Sequence, residues 1–551
     1  MARPKQYSQP FNHTIANSRL PPGPATNPLP INVMHLTAAP ALSATDHVNE
    51  SQIKVPLQRS YPGPKPVIRA SLANTHCDEL EVHGLLNRLN STLGTSYTQD
   101  TPGVSSLLEH CVSNKYDFGT AYARLRLKWC NGLTTIKDEL RKSQARDLKI
   151  RNNALVDNRI LDSRIPPRRV WDLYSNRVVP HWYLTEDKLP WAISHAWLDY
   201  AHLIHVRTRI NGGEWPVPIP SDVNLDLIRI ELLNLGAEYV WLDVLCLRQR
   251  SNGPGEDRTV VCYLSGLGRP LDFKEACDLG SDRCWFRRAW TLQETNRHYK
   301  IAGIPASDSG DLEDVEQMLH KQMTSLKIIR NPRKTIFDVL VYMQSRVSTN
   351  PADKVAGLAY LLYSKSLPAY NGTQSVEDAW TALVDSMPGE YRGDLFLLYP
   401  KPGDGINIWR PSWNQVMNDK LPLLDRDRRD EDVVWDKEKE AYRCSRAVRC
   451  IGRGYIRGLS VGDPQKQPRP GKLEVKDAYM MTHIFEIVAV HQHPIPDGSY
   501  TLLGGKRYWV IGRRLRDGKF RKVSVFTVAD KRERERLKRF GGAREVLQYL
   551  A

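Results

Sequence analysis

The sequence predicts an α/β protein whose central domain holds a mostly parallel sheet. Three short apolar runs between Pro190 and Gly303 lead to this prediction: LPWAISHAWL, AEYVWLDVLCL and RTVVCYLSGL. Each run is continuously apolar and does not alternate, which is typical of strands covered on both faces, as in parallel sheets. Flanking helical segments and a β-rich carboxyl-terminal region complete the predicted architecture.

A buried helix is predicted between the first two runs. The segment VNLDLIRIELLNLG, residues 223–236, carries leucine or isoleucine along its whole length and ends at Gly236. Glycine commonly terminates helices because it adopts the left-handed conformation without steric cost. Strand, helix and strand therefore form one βαβ unit.

The connection to the third run is unusually short. Only eleven residues, RQRSNGPGEDR at 248–258, join the second run to the third. A parallel crossover needs about a dozen residues and usually contains a helix. Two explanations stay open: the third run pairs differently, or a connecting helix is missing from this chain.

The rest of the chain divides into four further regions. We predict a mostly disordered region over 1–100, because its segments PPGPATNPLP and YPGPKPV favour extended backbone. Apolar residues at helical spacing predict a helical segment over 101–164 and a helical extension over 305–420, on either side of the core domain at 165–304. Short strand-like runs predict a β-rich, basic region over 430–551.

Length and composition restrict the class of protein. A chain of 551 residues is too long for one core and should form two or three domains. Its nine cysteines include no CxxC pair and no zinc spacing, so we expect reduced thiols and no metal site. The start, MARPKQYSQPFNHT, lacks the apolar run of a signal peptide, and no stretch is apolar enough to span a bilayer. We therefore expect a cytoplasmic protein with no membrane span.

Positive charge is concentrated near the carboxyl end. Residues 506–539 contain fourteen Lys or Arg against four acidic residues, a net charge of +10 out of +16 for the chain. Such a block can bind nucleic acid through its phosphates. The signs alternate at helical spacing in KRERERLKRF, which also fits a solvated basic face without a partner.

Candidate functional residues follow the predicted strands, since ligands of open α/β sheets bind at the carboxyl ends of the strands. No dinucleotide, P-loop, metalloprotease or serine-hydrolase motif is present in the sequence. The candidates at the strand ends are Ser194, His195, Trp197, Asp243, Cys246, Arg248, Gln249 and Glu294. For each a structural role is also open: His195 as a satisfied core histidine, the tryptophans as core, and Asp243 as a helix cap.

The stretch CWFRRAWTLQE, residues 284–294, carries the most specific arrangement. If it is helical, Trp290 and Glu294 share a face at i and i+4, as do Arg287 and Trp290 at i and i+3. A carboxylate beside an indole can be held in a dry crevice whose walls stack a planar ring. The alternative is a structural Arg–Glu pair within a buried helix.

Three blocks, in this order, resemble the signature blocks of the fungal heterokaryon-incompatibility (HET) domain: LPWAISHAWLD, YVWLDVLCLRQ and RCWFRRAWTLQE. The segment SRVSTNPADKVAGLAYLL (345–362) resembles the block that commonly follows this domain, and WRPSW (409–413) resembles a later element. The flanks look like those of a basidiomycete-type branch. Members usually carry a longer segment where this chain has 248–258.

The resemblance implies non-self recognition and programmed cell death on fusion of incompatible fungal cells. HET domains are remotely similar to Toll/interleukin-receptor (TIR) domains, flavodoxin-like folds of which some hydrolyse NAD. Their glutamate follows a tryptophan after three residues, as Glu294 follows Trp290, so the resemblance implies Glu294 as the catalytic residue. NAD would be a substrate and no cofactor is expected. The implied substrate contacts are Ser194, Trp197, Asp243, Arg287, Arg288 and Trp290.

The leading expectation is therefore an intracellular regulator or effector of heterokaryon incompatibility that acts through NAD hydrolysis. A second expectation is a non-enzymatic TIR-like module that signals by assembly with itself or with protein partners. A weaker third is association with nucleic acid through 506–539.

Overall fold

The computed structural model describes most of the chain from residue 52 onward. The described ranges are 42–43, 52–130, 132–162, 165–247, 259–294, 298–306, 317, 320–324, 326–331, 334–364, 366–422, 432–444, 448–461, 468–504, 507–528, 530–540 and 543–551. The fold is mixed α/β, as predicted, with a central mixed sheet between two helical layers and a closed antiparallel barrel near the carboxyl end.

Helices form the layer that precedes the sheet. They span Ala70–Ala73, Cys77–Leu93, Val104–Ser113, Phe118–Leu125 and Ile136–Asn152. The prediction of a mostly disordered region over 1–100 is wrong for the described residues 52–100. The last proline before the helix at Cys77–Leu93 is Pro66, and Leu85 and Leu89 of this helix are buried in the core beneath the sheet. Their apolar spacing specifies a helix, so the prolines upstream do not decide the structure of this part. Residues 1–41 and 44–51 lie outside the described residues.

The central sheet has six strands. They are β1 (Arg169–Asp172), β2 (Arg177–Pro180), β3 (Trp191–His195), β4 (Tyr239–Trp241), β5 (Val260–Tyr263) and β6 (Tyr299–Ile301). Their order is β6-β5-β3-β4-β1-β2. The pairs β6/β5, β5/β3 and β3/β4 are parallel, whereas β4/β1 and β1/β2 are antiparallel. The predicted parallel sheet is thus present, extended at one edge by a hairpin.

The third apolar run occupies the centre of this parallel sheet. β5 pairs with β3 in register from Val260 opposite Ala192 to Tyr263 opposite His195. The explanation that this run pairs differently is therefore wrong. The short connection itself, residues 248–258, lies outside the described residues.

The predicted crossover helix between β3 and β4 spans Leu225–Asn234. The side chain of Asn224 caps it by accepting from the backbone N–H of Asp226 at 2.7 Å, and Gly236 follows its end with a φ of 98°. Its buried Arg229 donates to the backbone oxygens of Leu173, Ile68 and Tyr174 at 2.7, 2.8 and 3.2 Å. These bonds tie the helix to the sheet and to the amino-terminal layer. A hairpin of Leu203–Val206 and Val217–Pro220, which the sequence did not predict, lies between β3 and this helix.

A second helical layer covers the other face of the sheet. Its helices span Ile336–Gln344, Ala352–Ala356, Val376–Ser386, Gly389–Leu397 and Trp413–Asn418, with shorter helices at Phe273–Cys277 and Thr291–Glu294. The short helix Asp243–Cys246 packs in the core of the opposite face instead. Capping boxes begin two of them, from Thr335 to Asp338 and from Ser412 to Gln415. Much of the predicted helix around 311–329 lies outside the described residues.

The β-rich carboxyl-terminal region is confirmed, and it closes on itself. Its strands are Val448–Arg457, Arg469–Lys476, Thr482–Ala489, Gly498–Gly504, Tyr508–Arg514 and Phe520–Thr527. The first of them pairs with both the second and the fourth, so the six antiparallel strands form a barrel. Arg544–Val546 adds a strand to its outer side, and the helix Lys531–Arg539 follows the last barrel strand.

Close contacts join the barrel to the second helical layer. The buried amino group of Lys522 donates to the carbonyls of Leu395 and Phe396 at 3.3 and 2.7 Å, at the carboxyl end of the helix Gly389–Leu397. The hydroxyl of Ser524 donates to the carbonyl of Pro400 at 2.8 Å. Part of the basic sequence is therefore structural. No helix among the described residues has the length and apolar character needed to cross a membrane.

Candidate functional site

The carboxyl end of β3 carries a hydrogen-bonded chain of three side chains. The indole N–H of Trp285 donates to the hydroxyl oxygen of Ser194 at 2.8 Å, and this hydroxyl donates to Oε2 of Glu294. Ser194 and Trp285 are buried, while Glu294 is partly exposed. Because the indole can only donate, it fixes the direction of the chain, and the Ser194 proton points to the carboxylate.

Opposing effects act on the pKa of the Glu294 carboxyl. Burial raises the pKa of its carboxyl above the ordinary range, and the nearby charge of Asp243 raises it further. The hydrogen bond from Ser194 and the charges of His195 and Arg346 act in the opposite direction. Cys262 lies opposite Ser194 in the sheet, and the pKa of its thiol is raised by burial and by the charge of Glu294. The result is a carboxyl group that titrates above its usual range beside a buried hydroxyl.

Arg346 supports the turn that carries Glu294. Its guanidinium donates to the backbone oxygen of Arg288 at 2.6 Å and to the hydroxyl of Thr291 at 2.7 Å. Burial lowers the pKa of Arg346 to about 9, against the influence of Glu294. Neither Arg346 nor Trp285 is among the residues that the sequence predicts for the site. Trp285 lies inside the block RCWFRRAWTLQE and Arg346 inside SRVSTNPADK, so both lie in segments that carried the resemblance.

A second pair of polar side chains lies beside the first. Nε2 of His195 lies 3.1 Å from Oδ1 of Asp243, which also accepts from the backbone N–H of Val244 at 2.7 Å. Burial disfavours the charged imidazole, yet the charge and hydrogen bond of Asp243 hold the pKa of His195 above its ordinary value. The ring of Trp197 lies 5.2 Å from that of His195. His195 is thus a partnered buried histidine, which is the structural alternative given for it. Asp243 is the first residue of its helix and not the cap, which is Leu242.

The two pairs approach the same edge of the sheet from opposite faces. Successive side chains of a strand point to opposite faces, so Ser194 shares the face of Ala192 and Cys262, and His195 that of Ile193 and Tyr263. The charge of Asp243 nevertheless acts on the pKa of Glu294. Ser194, Asp243 and Glu294 therefore gather at the carboxyl edge, but only Ser194 and Glu294 share a hydrogen bond.

The predicted helix over CWFRRAWTLQE is interrupted, and this corrects one expectation. Trp285–Arg287 form a 3₁₀ turn, Arg288 is extended with φ −75° and ψ 138°, and an α-helix spans only Thr291–Glu294. The interruption has a long-range cause: the backbone N–H of Val347 donates to the carbonyl of Arg287 at 2.6 Å, and that of Ala289 donates to the carbonyl of Val347 at 2.9 Å. Arg287 and Trp290 consequently do not share a helix.

Trp290 contacts a different part of the protein. Its ring lies 5.8 Å from that of Tyr370, whose hydroxyl donates to Oδ1 of Asp353 at 2.7 Å. Both aromatic rings line a mostly apolar cavity of about 60 Å³, together with Ala352, Ala356 and Gln374. Trp290 therefore does not stand beside Glu294 as the expected stacking wall, and the indole that reaches Glu294 through Ser194 is the fully buried Trp285.

Cationic side chains gather where the extended segment meets the helix Ala352–Ala356. Arg287 pairs with Asp282 at 2.9 Å, yet its Nε is buried without a partner among the described atoms. The guanidinium of Arg288 is partly buried and makes no hydrogen bond or ion pair within the described part of the chain. The pKa of Lys354 is lowered by burial and by the charge of Arg287. Carboxylates also lie near this group, since the charges of Asp353, Asp199 and Asp282 act on Arg288.

Known proteins do not supply an identity for this site. Comparisons with family models, with curated proteins and with solved structures found no match. Within the described ranges, no group of three or more His, Cys, Asp or Glu side chains could hold a metal ion.

Proposed function

We propose that this chain is a HET-type regulator or effector of cell death whose central domain hydrolyses NAD through Glu294. The observation that carries the proposal is the hydrogen bond from Ser194 to Glu294 at the carboxyl end of β3. A carboxylate that is partly removed from water carries a desolvation cost that an apolar side chain in the same place would not have.

The order of the parallel strands supports the proposal that the domain has a TIR-like, flavodoxin-like fold. Across the sheet, the four parallel strands lie in the order β4, β3, β5, β6. Numbered by their order in the chain, they follow one another as second, first, third and fourth. This is the strand order of flavodoxin-like folds, whose ligands bind where the connections diverge to opposite sides, between the first and third strands. Here that position lies between β3 and β5, where Ser194 faces Cys262 and bonds to Glu294.

The chemistry needs few groups. In NAD the nicotinamide is a cationic leaving group, so cleavage of its bond to ribose requires no general acid. An ionised Glu294 would stabilise the positive charge that develops on the ribose, as carboxylates do at oxocarbenium-like transition states. Ser194, oriented by Trp285, would hold the carboxylate and favour its charged form.

The proposal assigns the pyrophosphate to the cationic cluster of Arg287, Arg288 and Lys354. Arg288 and Glu294 are linked through Arg346, which donates to the backbone of Arg288 and whose charge acts on Glu294. The unpaired guanidinium of Arg288, with Arg287 and Lys354, offers charge-assisted hydrogen bonds to phosphate oxygens. Trp197, next to His195, remains the candidate for stacking on nicotinamide.

A direct experiment follows NAD and its products with the purified full-length chain. Nicotinamide and ADP-ribose should appear in equal amounts, and Glu294→Gln should reduce the rate by about 100-fold or more. Glu186→Gln, at an exposed carboxylate paired with Arg146, is the matched control and should change nothing. Equal rates for wild type and Glu294→Gln, or no NAD loss by either, would reject the enzymatic proposal.

The assembly-module alternative is favoured by one specific observation. Hydrogen bonds run in one chain from Arg346 to Thr291, from Thr291 to the backbone of Trp285, and from the Trp285 indole to Ser194, which also describes a purely structural centre. A scaffold would assemble as its concentration rises, measured by light scattering, and Glu294→Gln would leave this unchanged. For the nucleic-acid alternative, the buried Lys522 and the Arg514 side chain bonded to Gln548 at 3.0 Å already have partners within the protein.

A further inference from the structure

One turn of the carboxyl-terminal barrel exposes three consecutive apolar side chains. Tyr479, Met480 and Met481 connect the strands Arg469–Lys476 and Thr482–Ala489, and their exposed fractions are 87%, 68% and 64%. Single exposed apolar residues are ordinary on protein surfaces, but a contiguous group marks an interaction site. We call Tyr479–Met481 the YMM turn.

Hydrogen bonds between the turn and the residues that flank it hold the YMM turn in one conformation. Oδ1 of Asp477 accepts from the backbone N–H of Tyr479 at 2.8 Å and of Met481 at 2.9 Å, while Oδ2 lies 2.8 Å from Nε2 of His483. The N–H of Asp477 donates to the carbonyl of Met481 at 3.0 Å. These bonds present the three side chains to solvent in a fixed arrangement.

The conformation of Met480 is unfavourable for its residue type. Its φ is 64°, in the left-handed region that suits glycine and asparagine and is strained for a side chain such as methionine. Folding alone would be served better by a small polar residue, which would relieve the strain and remove exposed apolar surface. Folding alone therefore does not account for methionine at this position.

A basic helix flanks the same strand. The helix Lys531–Arg539 contains six basic and two acidic residues. The buried Phe540 that follows it packs 5.4 Å from His483, and Arg536 lies 4.2 Å above the ring of Phe485. The carboxyl end of this helix, with the exposed Arg539, thus lies beside the strand that leaves the turn, and the exposed Lys531 and Arg532 lie at the helix's amino end.

We propose that the YMM turn and this helix form a docking surface for an anionic lipid bilayer. The apolar side chains would enter the interface while the basic helix meets the phosphates of acidic lipids, the combination that gives peripheral membrane binding. Nucleic acid would bind the cations but would not bury the two methionines. An acidic protein surface would likewise leave the methionines exposed to water. The surface is remote in sequence from Glu294, so the proposal stands apart from NAD cleavage.

The test measures co-sedimentation of the full-length chain with vesicles of phosphatidylcholine, alone and mixed with phosphatidylserine. Wild type should bind the mixed vesicles, and Met480→Ser with Met481→Ser should reduce the association constant by at least about tenfold. Ile406→Ser is the matched control, because Ile406 is 98% exposed elsewhere on the surface and should not affect binding. Arg532→Gln with Arg539→Gln should abolish the preference for phosphatidylserine.

A further variant separates binding from folding. Met480→Asn suits the positive φ, so it should keep or raise the melting temperature while weakening binding to the vesicles. Failure of wild type to bind phosphatidylserine vesicles overturns the proposal. Binding that the methionine substitutions leave unchanged also overturns it, since charge alone would then explain the association.

Discussion

The hydroxyl of Ser194 donates to the carboxylate of Glu294, although the two residues are 100 positions apart in the chain. Ser194 is the second-last residue of the central strand β3, and Glu294 ends a single helical turn that follows the sheet's third parallel strand. The bond places a raised-pKa carboxyl at the edge where α/β sheets bind ligands. Several measurable consequences depend on this contact.

Ser194→Ala should move the pH dependence of NAD cleavage. The hydroxyl lowers the pKa of Glu294, so its removal raises that pKa, and the ionised carboxylate would form at higher pH. The rate should therefore fall at neutral pH and its acidic limb should shift to higher pH. The loss of a partner for the Trp285 indole should also cost about 1–2 kcal/mol of unfolding free energy. Ser194→Thr, which keeps the hydroxyl, should retain the wild-type profile; an unshifted limb in the alanine variant would contradict the assigned role.

Glu294→Gln should make the protein more stable at neutral pH. The folded-state pKa of Glu294 lies above the ordinary value of 4.5, so the folded protein binds this proton more tightly than the unfolded chain does. Protonated Glu294 therefore stabilises the folded protein fully below pH 4.5, and this stabilisation is lost as the pH rises through the folded-state pKa. Glutamine is neutral throughout and keeps an acceptor for Ser194. The difference in melting temperature between variant and wild type should therefore grow from pH 4 to pH 7, and a constant difference would argue against the raised pKa.

Arg346→Met should destabilise the turn that carries Glu294. The variant leaves the carbonyl of Arg288 and the hydroxyl of Thr291 without their charged donor, which should lower the unfolding free energy by about 2 kcal/mol or more. Denaturant titration measures this. Arg283→Met is the control, because Arg283 forms an exposed pair with Asp199 and its loss should cost at most about 1 kcal/mol. Equal costs in the two variants would show that Arg346 is not the anchor.

Gly303→Ala tests the end of the sheet beside the site. Gly303 has a φ of 81°, and a Cβ there would lie 2.3 Å from the carbonyl oxygen of Arg269. We expect a loss of about 2 kcal/mol or more of unfolding free energy. Gly213→Ala shares the positive φ, at 68°, but a Cβ would meet nothing within 4 Å, so it should cost only about 1 kcal/mol. The difference between the two variants isolates the clash from the backbone preference.

The sequence predicted those parts of the fold that local pattern decides. The apolar runs around Ile193, Val240 and Val261 became parallel strands, and the leucine-rich segment before Gly236 became the crossover helix. Strand-like runs after Asp430 likewise indicated a β-rich region, but its closure depends on a pairing of Val448–Arg457 with two distant strands. Pairing between strands that are distant in the chain leaves no pattern in the local sequence.

The sequence predicted which residues meet at the site better than it predicted the backbone that carries them. Ser194 and Glu294 were selected because they follow predicted strands and match a resemblance, and the structure brings them together. The shared face of Arg287 and Trp290 was wrong because Val347, from a later segment, holds the backbone extended at Arg288. Arg346 was missed for the same reason, since its partners lie 55 and 58 residues earlier in the chain.

The initial rate of nicotinamide release from NAD, compared between the full-length wild type and Glu294→Gln, tests the central claim most directly. The proposal predicts release by wild type and a rate lower by about 100-fold or more in a folded Glu294→Gln protein, with Glu186→Gln indistinguishable from wild type. Release at the same rate by wild type and Glu294→Gln, or no release by either folded protein, would contradict it.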